Sequence, residues 1–221
     1  MPPAQELRRR APAGTATPDD RRHASGRTSK RTLDLALGVP ALAFVAPFLA
    51  GIALAMRLTG DRGPYLYRAM RVGEEGATFT ILKVRTMVHG SGGAGITGAG
   101  DPRVTPLGRI LRRYRVDELP QLFNVVRGEM SLVGPRPEDP RYVDWSDPVH
   151  RRVFTAKPGI TGLAQLEFHD EVRLLGGPDV EEVYRRDVLP AKLALDVEYL
   201  DRRSIRLDLQ ILARTVGAVV G

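Results

Sequence analysis

Residues 35–56 read LALGVPALAFVAPFLAGIALAM, with no charged or strongly polar side chain. A run of more than roughly 18 apolar residues is a membrane-helix candidate, and a buried core helix of that length is unusual in a chain this small. Two prolines interrupt it, Pro40 and Pro47. An interior proline removes a helix hydrogen bond and crowds the preceding turn, so Pro47, near the middle, predicts a sharp kink. Lys30 and Arg31 precede the run, and Arg57, Arg62, Arg68 and Arg71 follow it. The positive-inside preference pulls both ends to one face. A kinked helix that dips in and returns, with Pro47 and Pro40 as the membrane break, meets both constraints; a tilted span with a tolerated kink is the alternative. Asp34 is expected at the interface, paired with Lys30 or Arg31 one turn away.

The rest of the 221-residue chain can build one domain with a real core. Its 33 Lys+Arg against 26 Asp+Glu give a formal charge of +7, which favours an anionic partner without naming it. There is no cysteine. That excludes disulfides, thiolate metal sites and cysteine nucleophiles, and a cytosol-facing domain is the simplest reading. Residues 1–29, rich in Pro, Ala, Gly, Ser and Arg, read as a disordered basic tail. The apolar run starts too late, and lacks the cleavage site, for a secretory signal.

After the membrane run, 65–71 and 78–85 are predicted strands. The stretch 90–100 reads as a loop. Within it Gly93-Ala94-Gly95-Ile96-Thr97-Gly98 spells a dinucleotide fingerprint, which is rejected because Asp101-Pro102 follows where a helix should start. Thr105-Pro106 is a helix start. Leu107, Ile110, Leu111 and Tyr114 then share a face, while Arg109, Arg112, Arg113 and Arg115 crowd the remainder. This basic amphipathic helix suits an anionic surface or a phosphate ligand, and equally a solvated face.

A short helix is predicted from Asp117 to Gly128, with Pro120 tolerable only in its first turn. That places Asp117 and Glu118 at the positive end of a helix dipole. A nucleophilic carboxylate needs such a place, and so does an ordinary capping pair. Residues 131–137 and 158–162 read as turns. Helices are predicted over 180–188, over 191–202 after Pro190, and over 205–220 after a Ser204 cap. His23, His89, His150 and His169 lack ligand spacing and read as surface residues, with His169-Asp170-Glu171 a weak metal candidate.

Lys30-Arg31 with Asp34 before a proline-broken apolar run, Lys83-Val84-Arg85-Thr86-Met87, Asp101-Pro102-Arg103-Val104-Thr105, Asp117-Glu118-Leu119-Pro120-Gln121-Leu122, Asn124-Val125, the segment from Gly128 through Gly134-Pro135-Arg136-Pro137, and Pro158-Gly159-Ile160-Thr161-Gly162-Leu163-Ala164-Gln165 occur in that order. Together, from about residue 30 to the C-terminus, they resemble the bacterial sugar transferase family of monotopic polyprenyl-phosphate phosphoglycosyl transferases, in its minimal catalytic form. The resemblance implies transfer of a sugar 1-phosphate from a UDP-sugar to polyprenyl phosphate, as the first membrane step of a surface glycan. UMP leaves, and the intermediate is a covalent aspartyl phosphosugar. It makes Asp117 the nucleophile, and Glu118, with Asp117 beside it, the ligand of a Mg²⁺ cofactor. Arg112, Arg103 and Arg136, with Lys83 and Arg85, match positions suited to clamping phosphates, although Arg103 could simply pair with Asp101. Asp196, Tyr199 and Gln121 are implied in support, with Ser204 and Asp208 in the same C-terminal pattern. One departure stands out: Ala46-Pro47 occupies the break where the family often has Ser-Pro.

The expected fold is α/β, mostly α with a small sheet: a tail over 1–29, a re-entrant membrane helix over 30–58, and a compact cytosolic catalytic domain over 59–221 with interfacial amphipathic helices. UDP-sugar, polyprenyl phosphate and membrane lipids are the expected partners at the cytoplasmic membrane, a homodimer is allowed, and nucleic acid is not expected, since few aromatics are present for stacking. Two alternatives stay open on the residues alone. One is a lipid-phosphate glycosyltransferase that releases UDP; the other is a basic membrane-binding protein without chemistry.

Overall fold

The computed structural model describes residues 18–58, 63–92, 97–98, 100–168 and 180–220. The apolar run lies in one helix, α1 (Pro18–Leu58), which continues through both Pro40 and Pro47. At 1.5 Å per residue its 41 residues follow a path of about 60 Å along the helix axis. Residues 18–29, expected as tail, are therefore helical, while 1–17 lie outside the described residues. Thr28–Leu58 is long and apolar enough to cross a membrane, and most of its surface is open, with Phe44 83% and Leu58 77% exposed.

The polar end of α1 is spent on the domain and not on itself. Asp34, expected to pair with Lys30 or Arg31, instead accepts from Ser131 Oγ and the Leu132 N–H, both at 2.9 Å. Lys30 Nζ reaches Asp208 at 2.8 Å. Arg31 donates to the Val125 and Val126 carbonyls at 2.6 and 2.9 Å, which are acceptors left over where a helix ends. Buried donors and charges far apart in sequence satisfy one another here, and that outweighs the local pair. Farther along, Ala41, Leu42 and Val45 pack on the main core, and Leu49, Ile52 and Met56 pack with Val84, Leu107 and Leu111. One body thus holds α1 from Lys30 to Met56.

Strands β1 (Leu66–Val72) and β2 (Thr78–Val84) form an antiparallel hairpin, with Leu66 opposite Val84 and Val72 opposite Thr78. Phe79 and Ile81 of β2 enter the core. The second edge of β2 is closed by a side chain: Asn124, 1% exposed, accepts from the Leu82 N–H at 3.2 Å and donates to the Thr80 carbonyl at 2.8 Å. Helix α2 (Pro106–Arg113) starts as predicted, with Thr105 Oγ1 accepting from the Gly108 N–H. Gly108 is required: a Cβ there would lie 2.1 Å from the Thr86 carbonyl oxygen.

The single helix predicted from Asp117 is divided. Val116–Glu118 is a 3-10 turn, and α3 runs only from Gln121 to Arg127, ending at Gly128 with φ +87°. Pro120 is the reason, because its ring would crowd the Val116 carbonyl in a continuous helix; that carbonyl accepts from the Leu119 N–H instead. The two predicted turns also hold regular structure. Strands β3 (Ser131–Val133) and β4 (Gly159–Thr161) pair in parallel, and a Cβ on Gly159 would meet the Gly134 nitrogen at 2.1 Å.

Short helices α4 (Pro148–Val153) and α5 (Leu163–Glu167) follow. Then come α6 (Val180–Val183), a π-helical segment (Tyr184–Val188), α7 (Leu189–Arg202) and α8 (Ile205–Val220). Ser204 Oγ accepts from the Leu207 N–H, as its capping role predicts. The domain is mostly helical with two small sheets.

Asp34→Ala strips the acceptor from two buried donors and should cost about 2–4 kcal/mol, taking roughly 1–3 for each unsatisfied group. Exposed Thr32→Ala, two residues away, should stay within about 0.5 kcal/mol. Thermal unfolding of the detergent-solubilised protein reads the difference.

Candidate functional site

Arg113 ends α2, and the chain must turn sharply to reach Asp117. Arg115 makes that turn with φ +51°, a left-handed conformation unusual outside glycine. It then contacts both sides of the site. Its Nη1 lies 3.8 Å from Glu118 Oε2, and its Nη2 donates to the Gln165 carbonyl at 3.2 Å.

The two acids of the turn have different surroundings. Glu118 Oε1 is 2.7 Å from Lys83 Nζ, which projects from the end of β2. Burial works against the charge on Glu118, but Lys83, Arg136 and Arg115 outweigh it and hold the carboxyl at about 2. Asp117 is buried, 9% exposed, and no side chain among the described residues hydrogen-bonds to it; its own backbone N–H does. Burial first, then the charge of Glu118, push Asp117 up to about 6, against the pull of Lys83 and Arg112. One acid is locked in ion pairs, and its neighbour is unclaimed.

The other expected residues divide into three groups. Arg112 lies beside the acids: its Nε donates to Thr86 Oγ1 at 2.8 Å, burial lowers its pKa, and Asp117 is the leading opposing influence. Arg136 adds its charge to Glu118. Arg103 is forked onto Asp101, with Nε–Oδ1 2.9 Å and Nη2–Oδ2 2.5 Å, the pairing that its Asp-Pro-Arg loop allowed. Arg85 shapes the chain, donating to the Pro64 carbonyl at 2.6 Å and the Met87 carbonyl at 2.9 Å.

Gln121 is buried at the start of α3, 2% exposed. Asp196 touches Arg136 through the backbone N–H, at 3.4 Å, and burial drives its own pKa up to about 8. Tyr199 ties helices together, donating to Asp208 Oδ1 at 2.8 Å and to the Val133 carbonyl at 3.3 Å. His150, expected at the surface, is 6% exposed and 3.2 Å from Asp147 Oδ2 at the start of α4. His169-Asp170-Glu171 lies outside the described residues.

Arg115 and Asn124 stood out in the sequence, but their roles did not: Arg115 needed its backbone angle, and Asn124 its neighbours on β2. A buried set comprising Glu138, Tyr184 and Lys192 needed the packing of α7: Tyr184 Oη is 2.8 Å from both Glu138 oxygens, and Lys192 Nζ lies 4.9 Å from the Tyr184 ring.

A pocket of about 670 Å³ opens beside the turn, between α2, β4 with α5, and the last turns of α8. Glu118 and the guanidinium groups of Arg109, Arg112, Arg113 and Arg115 line it. Four arginines against two carboxylates, Glu118 and Asp101, both already ion-paired, suit a phosphate-bearing ligand. Among the described residues no group of three acids or histidines could hold a metal alone. The acid pair nevertheless fits a hard divalent cation that keeps waters and shares phosphate oxygens, because two adjacent acids that resist joint ionisation are relieved by one.

The model for bacterial sugar transferases matches residues 25–221. The chain is 42% identical over 196 residues to a UDP-glucose:undecaprenyl-phosphate glucose-1-phosphate transferase of Caulobacter vibrioides, covering 86% of this chain and 69% of that one. It is 39% identical to an undecaprenyl-phosphate glucose phosphotransferase of Komagataeibacter xylinus, covering 85% of this chain but only 35% of the relative. It is also 31% identical over 211 residues to the exopolysaccharide production protein ExoY of Sinorhizobium fredii, covering 88% and 86%.

Tyr199→Phe should cost about 1–2 kcal/mol in denaturant unfolding, since it takes the one O–H donor from buried Asp208, with the Val133 carbonyl only 3.3 Å from the same hydroxyl. Turnover per folded molecule should not change, because the hydroxyl braces α7 against α8 and does not face the acids.

Proposed function

The chain belongs to the bacterial sugar transferase family, and on that premise we propose that it transfers a sugar 1-phosphate from a UDP-sugar to undecaprenyl phosphate at the cytoplasmic membrane, releasing UMP and opening an exopolysaccharide pathway. The observation that carries the assignment of roles is the contrast within the pair: Glu118 is held by Lys83 and Arg115, while the Asp117 carboxylate has no side-chain partner among the described residues.

An oxygen of Asp117 attacks the phosphorus that bears the sugar. The bond from that phosphorus to the bridging oxygen breaks, UMP leaves with the oxygen and its electron pair, and the sugar phosphate stays on the carboxylate as a mixed anhydride. A phosphate oxygen of the lipid then attacks the same phosphorus and expels Asp117 as carboxylate. Neither step needs a proton from the protein. Arg112 and Arg136 offset charge on the phosphates, and Arg115 and Lys83 keep Glu118 ionised and oriented. Glu118, with Asp117, would hold Mg²⁺, which when bound neutralises diphosphate oxygens and eases departure of UMP.

The membrane reading rests on how α1 is held. A crossing helix would carry its far half away from a domain confined to one side, yet Lys30, Asp34, Val45, Ile52 and Met56 all touch the same body. The re-entrant reading, with both ends at the cytoplasmic face, accounts for this; Phe44 and Phe48 on the open side then meet lipid.

With UDP-sugar and lipid phosphate, UMP should appear as the nucleotide product, and UDP in its place would overturn the mechanism. Radiolabelled sugar phosphate should be trapped on the wild-type protein and be absent from Asp117→Asn, with turnover lost by about 10³-fold or more. Chelation should abolish turnover and Mg²⁺ restore it. Tags at the N- and C-termini should both be accessible from the cytoplasm.

A further inference from the structure

The pocket beside Glu118 has two kinds of wall. One side carries the guanidinium groups described above. The other is apolar, built from Leu119, Ile160, Leu166, Val216 and Ala218, with the Tyr114 ring at its rim. Of its polar lining, Thr161 Oγ1 and Thr215 Oγ1 are 2.7 Å apart and Thr215 also donates to the Ile211 carbonyl, while Thr97, Asp101 and Gln165 stand on the arginine side. An anionic head on a hydrocarbon chain would find both of its halves matched.

The position of the pocket agrees with that composition. Helix α2 packs Leu107 and Leu111 against Leu49, Ile52 and Met56 of α1 and turns its arginines to the pocket. Helix α8 is tied to the other end of α1 through Asp208 and Lys30. The pocket therefore lies between two elements that both grip the apolar helix. Ile110, Tyr114 and Val216 are exposed at 57%, 47% and 64%, an apolar fringe suited to the bilayer edge. Arg113 faces it as well. Among the described residues it meets no carboxylate or carbonyl, and its guanidinium lies 5.8 Å from the centre of the Tyr114 ring.

We propose that this pocket seats the phosphate-proximal isoprene units of the lipid acceptor, with the end of α8 as their apolar wall and Arg113 as the cation that receives the acceptor phosphate before it reaches Asp117. The proposal rests on the transferase reading above and adds a separate place for the second substrate, distinct from that of the nucleotide. Val216 and Ala218 are then determinants of acceptor specificity, and Arg113 is an acceptor-binding residue.

The test separates the two half-reactions in the full-length protein in detergent. Val216→Asp and Ala218→Trp lie at exposed positions, so folding should survive, and an unchanged melting temperature checks it. Each should raise KM for undecaprenyl phosphate about tenfold or more, Val216→Asp by setting a charge against the hydrocarbon and Ala218→Trp by filling the space it needs. Arg113→Gln should do the same, while Arg113→Lys recovers part of the loss. The burst of UMP from UDP-sugar alone, which does not involve the lipid, should keep its rate and amplitude in all of them. An unchanged KM for the lipid in these variants overturns the proposal, as does a slowed burst with a raised KM for UDP-sugar, which would make the pocket the nucleotide's. Failure of the underlying reading looks different: the wild-type protein would then give no UMP burst at all.

Discussion

A carboxylate one turn inside an apolar helix has to be satisfied by something, and the rest of this molecule is arranged around how Asp34 is satisfied. It accepts the Leu132 N–H and the Ser131 hydroxyl, at the strand that leads into the Gly134-Pro135-Arg136 turn. Arg31 closes the open end of α3, and Lys30 neutralises Asp208 at the start of α8. Three polar side chains within two helical turns thus fix α1 against α3, β3 and α8. An isolated charge in such surroundings would cost several kcal/mol; complementary groups on the domain turn that cost into orientation. The turn of Asp117 and Glu118 hangs from the same frame, because α3 begins where it ends.

Within the turn, adjacency alone would make the two acids equivalent. Environment separates them. Lys83, Arg136 and Arg115 keep Glu118 ionised in spite of burial, whereas Asp117, buried beside a permanent negative charge, is less acidic than an ordinary aspartate. Groups of one chemical kind driven apart by their neighbours are a recurring way to assign different tasks to adjacent side chains. Arg115 is a near neighbour in the same turn, but Lys83 comes from β2, so the distinction depends in part on packing between segments distant in sequence.

Much of this was legible in the sequence where chemistry is local. Thr105-Pro106 announces α2, Gly128 stops α3, and Ser204 caps α8, since each satisfies backbone groups within a few residues. The resemblance to a known family marked the acid pair. What stayed hidden was nonlocal. The Ser131 and Gly159 segments look like turns because glycine and proline are dense there, yet those glycines permit two strands to touch. Pro120 divided a helix that apolar spacing had joined. Arg85, alike in type to the other arginines, serves two backbone carbonyls, and only three-dimensional neighbours separate it from Arg112. The partner of Asp34 could not be guessed from residues one turn away.

The clasp between Lys30 and Asp208 joins residues 178 positions apart, and this imposes an order on biogenesis. During synthesis α1 emerges while Ser131, Val125 and Asp208 do not yet exist. Through that interval Lys30, Arg31 and Asp34 lack every partner they use in the finished fold. The pocket gains its last wall when α8 docks. Emergence of α1 and completion of the pocket are therefore separate events, and the second waits for α8.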